Sequence, residues 1–505
     1  MALNWPFLNL SDIYAIRSQR DLTLNVSIDQ LVNPGINLNT VLLEPLNYTS
    51  SALSNFAAII QRGVTRVFLD IYWNNISKTW QLCPFVADVS ATAANVTSSD
   101  VSNSTVFAYG DRAYTCDTTI TFSTFLSDVV KDQWIYPTDN DLDAQTIVLT
   151  INLRQAKAAA VVTIDSEAVV ATTVSQATTS VSNIQSGNAT SSANTAMTTS
   201  SQSETLSMQI HNALDRYVYT PEQLSLDRSK ALTWNDTAAT TQGWPLLKNV
   251  LLTEFYRVLI SFGDIEVPTA EYNSNLDADS IFSNDDIPTS GAGVISNTSP
   301  ISSVCSISDG DNIAILSTGA VVKPTWLIAS DTSENPFSAT TMLQYMNCGF
   351  SPVLNATLGS SSDILQYLVT ALEYSRWSWE AGQPPAAPQP TPTGGTAPVT
   401  DSSGNVPRCA ALTVNGWEVE NCNSKFKVAC RVAKSPYNWT LSQKQVSYYD
   451  SVGACTGNTT LSLPRTAVQN TILQSLRQSV VGSDPVWIDM NSIELPVRHI
   501  PRNAN

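Results

Sequence analysis

The chain has 505 residues, enough for a barrel-sized domain and a smaller one. Its 26 Lys and Arg stand against 43 Asp and Glu, a formal charge of −17, and no basic stripe or block breaks the acidic background, which argues against direct DNA or RNA binding. Only 14% of residues are charged while Ser, Thr and Asn abound, a balance that suits an extracytoplasmic, sugar-bearing protein better than a cytosolic enzyme.

In chain order, residues 1–10 lack the basic start and apolar core of a signal peptide. Residues 40–43 form the first short apolar run suited to a buried strand. Residues 51–61 carry Leu53, Phe56, Ala57 and Ile60 on one helical face and lead into a second apolar run at 67–73. Similar runs follow at 146–153, 258–261, 312–317 and 326–329, separated by helix-like stretches. Such alternation predicts a parallel sheet, and at this length a closed α/β barrel is the economical solution. Residues 161–207 are a Ser/Thr/Ala tract with too little apolar surface to offset its ordering entropy, and are read as an inserted loop. A second break, at 383–407, is rich in Pro, Gly and Thr. No run of about 18 apolar residues occurs, so no membrane span is expected in the polypeptide as written.

The eight cysteines are not spaced as C-x-x-C, which argues against a zinc or thioredoxin-like site, and no metal or cofactor is expected. Four disulfides are expected, with Cys83 joined to Cys116 and Cys305 to Cys348. Buried reduced thiols are the alternative. Twelve Asn-x-Ser/Thr sequons favour the oxidising route: Asn9, Asn25, Asn47, Asn75, Asn95, Asn103, Asn188, Asn235, Asn297, Asn355, Asn438 and Asn458.

Two groups of segments carry a resemblance. Cys409-Ala410-Ala411-Leu412, Trp417 with Cys422, and Val428-Ala429-Cys430-Arg431 resemble the second half of a C-type-lectin-like module. Trp439-Thr440-Leu441, Tyr449, Ala454-Cys455, Leu461-Ser462-Leu463-Pro464, Asn470, Leu473 and Trp487-Ile488-Asp489 resemble its first half, in swapped order. This permutation is physically allowed because domain termini commonly lie close together at the surface. The resemblance implies the pairs Cys409–Cys422 and Cys430–Cys455. Ser18-Gln19-Arg20-Asp21, Pro34-Gly35, the run from Gly63 through Asp70-Ile71-Tyr72-Trp73, Trp80-Gln81-Leu82-Cys83-Pro84, residues 217–221 with Asp227-Arg228, and Phe262-Gly263-Asp264-Ile265 resemble the fungal maintenance of telomere capping protein 6 family. That resemblance implies a TIM-barrel-like domain similar to phosphatidylinositol-specific phospholipase C over 1–365, with 161–207 as its inserted loop. A circularly permuted C-type-lectin-like α+β domain would follow over 366–495, with 383–407 as a loop, then a tail at 496–505. It further implies a glycosylated single-pass type I membrane protein with extracytoplasmic domains, anchored through a segment absent from this sequence. A role in telomere capping would then be indirect, through an unknown protein or glycan ligand.

A phospholipase C-type site needs two histidines, as general base and general acid. The chain has only His211 and His499, both far from the matching segments. Asn37 and Cys83 stand where the resemblance would place the pair, and neither can transfer protons. The expectation is therefore a non-catalytic barrel. Asp70 and Asp264, near the ends of barrel strands, are the remaining candidates for a carboxylate-dependent glycoside or phosphodiester hydrolase. The plainer reading is a rim aspartate bonding backbone amides. In the lectin-like part, Gln383-Pro384-Pro385 and Trp417-Glu418-Val419 lack two of the oxygens of a calcium-dependent sugar site. Trp377, Trp379 and Trp417 are read as core, and Asp277, Asp279, Asp285 and Asp286 as a solvated acidic turn rather than a calcium loop.

Overall fold

Eight short strands run parallel through the first part of the chain: β1 (Gly35–Asn37), β2 (Arg66–Asn74), β3 (Ile147–Gln155), β4 (Val218–Tyr219), β5 (Val258–Ile265), β6 (Val294–Ser296), β7 (Ile328–Ser330) and β8 (Ser351–Leu354). They are seen in a computed structural model that describes residues 2–87, 104–162, 205–235, 238–291, 293–298, 306–308, 312–315, 325–385 and 408–491. Their spatial order is β6-β7-β8-β1-β2-β3-β5-β4. The outer edge of β5 is shared by β4, which pairs with Val258 and Leu259, and by Phe282, which bridges Ser261. Two short pieces thus occupy the fifth place, and among the described residues no ladder joins β4 to β6. The result is a partial TIM barrel.

Alternation along the strands sorts the side chains. Leu69, Ile71, Ile151 and Leu153 face outward into a core shared with Phe56, Ile59, Phe125 and Val130 of the covering helices. The other parity lines the bore. Its floor is apolar, with Val148, Leu259, Tyr219, Phe282, Trp244 and Trp326 in one cluster. Buried Arg66 stacks over Trp326 at 4.8 Å.

The strands expected at 67–73, 146–153, 258–261 and 326–329 all fall on β2, β3, β5 and β7. Residues 40–43 do not form a strand. The side chain of Asn37 accepts from the backbone N–H groups of Asn39 and Thr40 (3.1 and 3.2 Å), which ends β1 and turns the chain into the helix Asn39–Leu43. The helix expected over 51–61 is split into Ser50–Leu53 and Phe56–Ile60. Between them, buried Asn55 accepts from Leu3 N and Trp5 Nε1, both at 2.9 Å, and so ties down the N-terminal segment. Asn312–Ile315 is extended but pairs antiparallel with Ser306–Ser308, outside the barrel sheet. Of the two expected loops and the tail, residues 163–204, 386–407 and 492–505 lie outside the described residues.

A second sheet follows, ordered Trp417–Glu420, Cys409–Leu412, Val486–Asn491, Lys427–Val432, Trp439–Leu441, with Thr459–Leu461 also on Lys427–Val432. Its central strand comes last in the chain, antiparallel to one neighbour and parallel to the other. Disulfides join Cys409 to Cys422 and Cys430 to Cys455 here, and Cys83 to Cys116 beside the barrel, the pairs named from the sequence. Cys348 is disulfide-bonded as well; Cys305 lies outside the described residues.

Helix α1 (Leu10–Leu22) starts at an Asn9 cap and lies against both parts of the molecule. Ala15 and Leu22 enter a core with Met346, Trp377, Trp379 and Trp417. Gln19 accepts from the N–H of Trp377 (3.1 Å) and from Ser378 Oγ (3.3 Å) and donates to Ser375 O (3.3 Å). The tryptophans are core residues, with Trp417 edge-on to Trp377 and Trp379 at 6.0 and 5.8 Å.

Candidate functional site

The C-terminal ends of β1, β2, β3 and β5 meet in a polar layer above the apolar floor. Register places Asp70 beside Asn152 and Tyr72 beside Arg154, so all four share the bore-facing side. Below them Thr150 and Ser261 are linked across β3 and β5 at 2.9 Å. Asn152 donates to Asp70 Oδ1 at 2.6 Å, while its own oxygen accepts the Asp264 N–H at 2.9 Å. Gly263 makes this approach possible, because a Cβ there would sit 2.0 Å from Asn152 Oδ1. The Asn39 side chain, delivered by the turn after β1, accepts the Asp70 N–H at 2.7 Å.

Arg154 is the hub. Its guanidinium reaches Asp70 Oδ2 at 3.9 Å and Asp264 Oδ2 at 3.3 Å, and contacts Glu266. Both sequence candidates therefore share one cation. Their settings differ: the Asp70 side chain is 19% exposed and that of Asp264 is 70% exposed. Burial raises the Asp70 pKa above the usual carboxylate value, against the lowering effect of Asn152 and Arg154. Glu44, on the short helix Glu44–Leu46, is raised too, first by burial of its carboxyl and then by Asp70, although the residue as a whole is exposed. Buried Tyr48 and Tyr72 are held far above the ordinary phenol range, both first by burial, then Tyr48 by Tyr72 and Tyr72 by Asp70. Glu44 is a member of the site that sequence reasoning missed. It follows a strand end that was itself misplaced, and a Glu-Pro pair signals no chemistry.

The other candidates do not join this layer. Asn37 is engaged in its turn and Cys83 in its disulfide. His211 is exposed on the helix Leu206–Leu214, and His499 lies outside the described residues. The acidic turn divides: Asp279 and Asp285 are exposed, but Asp277 is fully buried, accepting from Ser207 N (2.8 Å) and Tyr272 Oη (2.7 Å), and is a structural anchor rather than a solvated charge. Gln383 Oε1 accepts the Val419 N–H at 3.4 Å, and Glu418 accepts from Thr413 Oγ1 at 3.0 Å. Among the described residues no three His, Cys, Asp or Glu side chains converge as a metal site. Among them, too, no helix is long and apolar enough to cross a membrane. Asn9, Asn25, Asn75, Asn438 and Asn458 are exposed, whereas Asn47, Asn297 and Asn355 are half-buried. Asn95, Asn103, Asn188 and the Asn235 side chain lie outside what is described.

Comparison with known proteins places residues 6–374 on the model of the MTC6 partial TIM-barrel domain. Relatives named Maintenance of telomere capping protein 6 are similar over nearly the whole chain. That of Candida albicans (strain WO-1) is 27% identical, with 97% of this chain and 83% of that protein covered. That of Yarrowia lipolytica is 27% identical over 97% and 81%, and that of Komagataella phaffii 26% over 97% and 83%. A solved calcium-dependent phosphoinositol-specific phospholipase C from Pseudomonas sp is 11% identical, covering 69% of this chain and 90% of that one with a TM-score of 0.29, too low to carry an argument.

Proposed function

Because the chain belongs to the MTC6 partial TIM-barrel family, we propose that it is a non-catalytic, glycosylated interaction protein of the secretory pathway or cell surface, held at a membrane, with an indirect role in telomere capping. The observation that carries this reading is the set of closed disulfides, Cys83–Cys116, Cys409–Cys422 and Cys430–Cys455, since such bonds persist in oxidising compartments. The exposed sequons and the acidic surface agree with it. The part over 366–495 is read as a permuted lectin-like module. In support, its last strand lies between two strands that precede it in the chain, and both of its disulfides have the pairing such a module requires. The absence of catalysis is supported by Arg154, which occupies both candidate carboxylates at once. Peptide mapping of the unreduced protein, with and without enzymatic removal of N-glycans, tests the address. Free thiols and bare asparagines would sink it.

One observation favours a second reading, a carboxylate-dependent hydrolase. Asp70 and Glu44 both hold their protons more tightly than free carboxyls, as a general acid must. On that reading Asp70→Asn and Glu44→Gln each abolish hydrolysis of glycoside or phosphodiester probes while the fold is kept. If the wild-type protein turns over none of these probes, the first reading stands.

A further inference from the structure

At the opposite end of the barrel, under α1 and beside the N-terminal ends of the strands, lies a cavity of ≈ 50 Å³. It is several times the space one water needs, about 10–15 Å³. Its walls include Gln19 and Arg20 of α1, Arg62 and Thr65 ahead of β2, Gln145 ahead of β3, and Arg376. A larger cavity of ≈ 250 Å³ shares Ile16, Arg20 and Gln145 with it and is lined elsewhere by Leu8, Ile13, Pro137 and Leu142.

Three guanidinium groups line the inner chamber, and among the described residues only two carboxylates pair with them. Arg20 is bound to Asp21 and to the carbonyls of Asp141, Leu142 and Ala144. Arg376 is bound to Asp12 through Nη1, but its Nε is buried without a partner. Arg62 is buried, gives its hydrogens to the carbonyls of Ala58 (3.0 Å) and Pro6 (2.5 Å), and lies over the Trp5 ring; among the described residues no carboxylate is within ion-pair distance of it. Burial and then the neighbouring Arg376 charge lower its proton affinity, against a smaller raising effect of Asp12, whose carboxylate is already bound to Arg376. The Gln145 oxygen is also buried without a partner, and a flip of that amide would present an N–H donor instead. Asp143, in the outer cavity, is already paired with Arg17. One positive charge therefore stands in excess next to an unused donor, inside a chain of charge −17 whose distant carboxylates are screened beyond about 8 Å at physiological salt.

We propose that this chamber is an oxyanion site that takes a phosphate group, with Arg62, Arg376 Nε and the Gln145 amide as its donors. Planar guanidinium forks suit tetrahedral oxyanions, and the charge would relieve the repulsion between Arg62 and Arg376. The outer cavity has room for the body of a small phosphomonoester.

The full-length protein is titrated with inorganic phosphate and, separately, with glycerol 3-phosphate, read by calorimetry and by Tm. Saturable binding with a rise in Tm is expected. Tighter binding of the ester assigns the outer cavity to its body; equal binding identifies the inorganic ion as the occupant. Gln145→Glu, which keeps the side-chain shape and adds a negative charge, is expected to weaken binding about tenfold or more, and Arg62→Met to do the same. If Arg62→Met fails to fold, Gln145→Glu is the variant read. No saturable binding of either probe, or unchanged affinity in Gln145→Glu, overturns the proposal.

Discussion

Asn152 is the residue on which the barrel mouth turns, since one amide orients Asp70 with its nitrogen and fixes the β5 end with its oxygen. A methyl group at Gly263 would collide with that oxygen, so Gly263→Ala is expected to cost about 1–3 kcal/mol by overpacking. The double variant Gly263→Ala/Asn152→Ala should recover part of the loss, measured as a non-additive shift in thermal stability. Asp70 makes a separate prediction. A carboxyl whose folded pKa lies above its unfolded value, about 3.9 for Asp, binds its proton more tightly in the folded state. Its stabilising contribution is full below the unfolded pKa and is lost as pH rises through the folded one. The Tm of Asp70→Asn relative to wild type should therefore move in the variant's favour between pH 3 and neutrality, by an amount Arg154 keeps modest. A pH-independent difference would contradict the raised pKa. Asp70 could be found from sequence because it is the one charged residue inside the apolar run 67–73, whereas Glu44 and Asn39 come together with it only through a turn that β propensity disguised.

At the scale of elements, α1 is the joint of the molecule. Removing the Gln19 side chain would strand the N–H of Trp377 and the carbonyl of Ser375, for about 2 kcal/mol. Gln19→Ala should therefore make the segment around Trp377 and Trp379 cleave faster in limited proteolysis, while cleavage within the barrel strands is unchanged. β2, β3 and β5 were legible because each is built on a long, mostly apolar run, and short β7 because the apolar run 326–329 leads into it. β1, β4, β6 and β8 were not, because two to four residues, as in Gly35–Asn37 or Val218–Tyr219, carry no periodicity. The break at Asn55 was hidden for a different reason: its partners are Leu3 and Trp5, some fifty residues away, and no local pattern records them.

For the molecule as a whole, the partial barrel and the second sheet each hold disulfides at points where chain far apart in sequence is brought together. Removing the Cys430–Cys455 bridge, which closes a separation of 25 residues, should cost about 2–4 kcal/mol. Unfolding of the second sheet should then move to lower temperature than that of the barrel, whereas reductant, which also opens Cys83–Cys116, should lower both transitions in the wild type. In protein made through the secretory route, glycan occupancy should be high at exposed Asn9, Asn25, Asn75, Asn438 and Asn458 and low at Asn355, whose side-chain oxygen is buried; glycopeptide mapping reads this directly. The placement of α1 also bears on biosynthesis. Gln19 emerges from the ribosome 356 residues before Ser375, an interval of about 20–70 s at 5–20 residues per second. Throughout that time the face with Ala15 and Leu22 has no tryptophans to cover it, which makes the nascent chain a client for chaperones long before the second sheet exists.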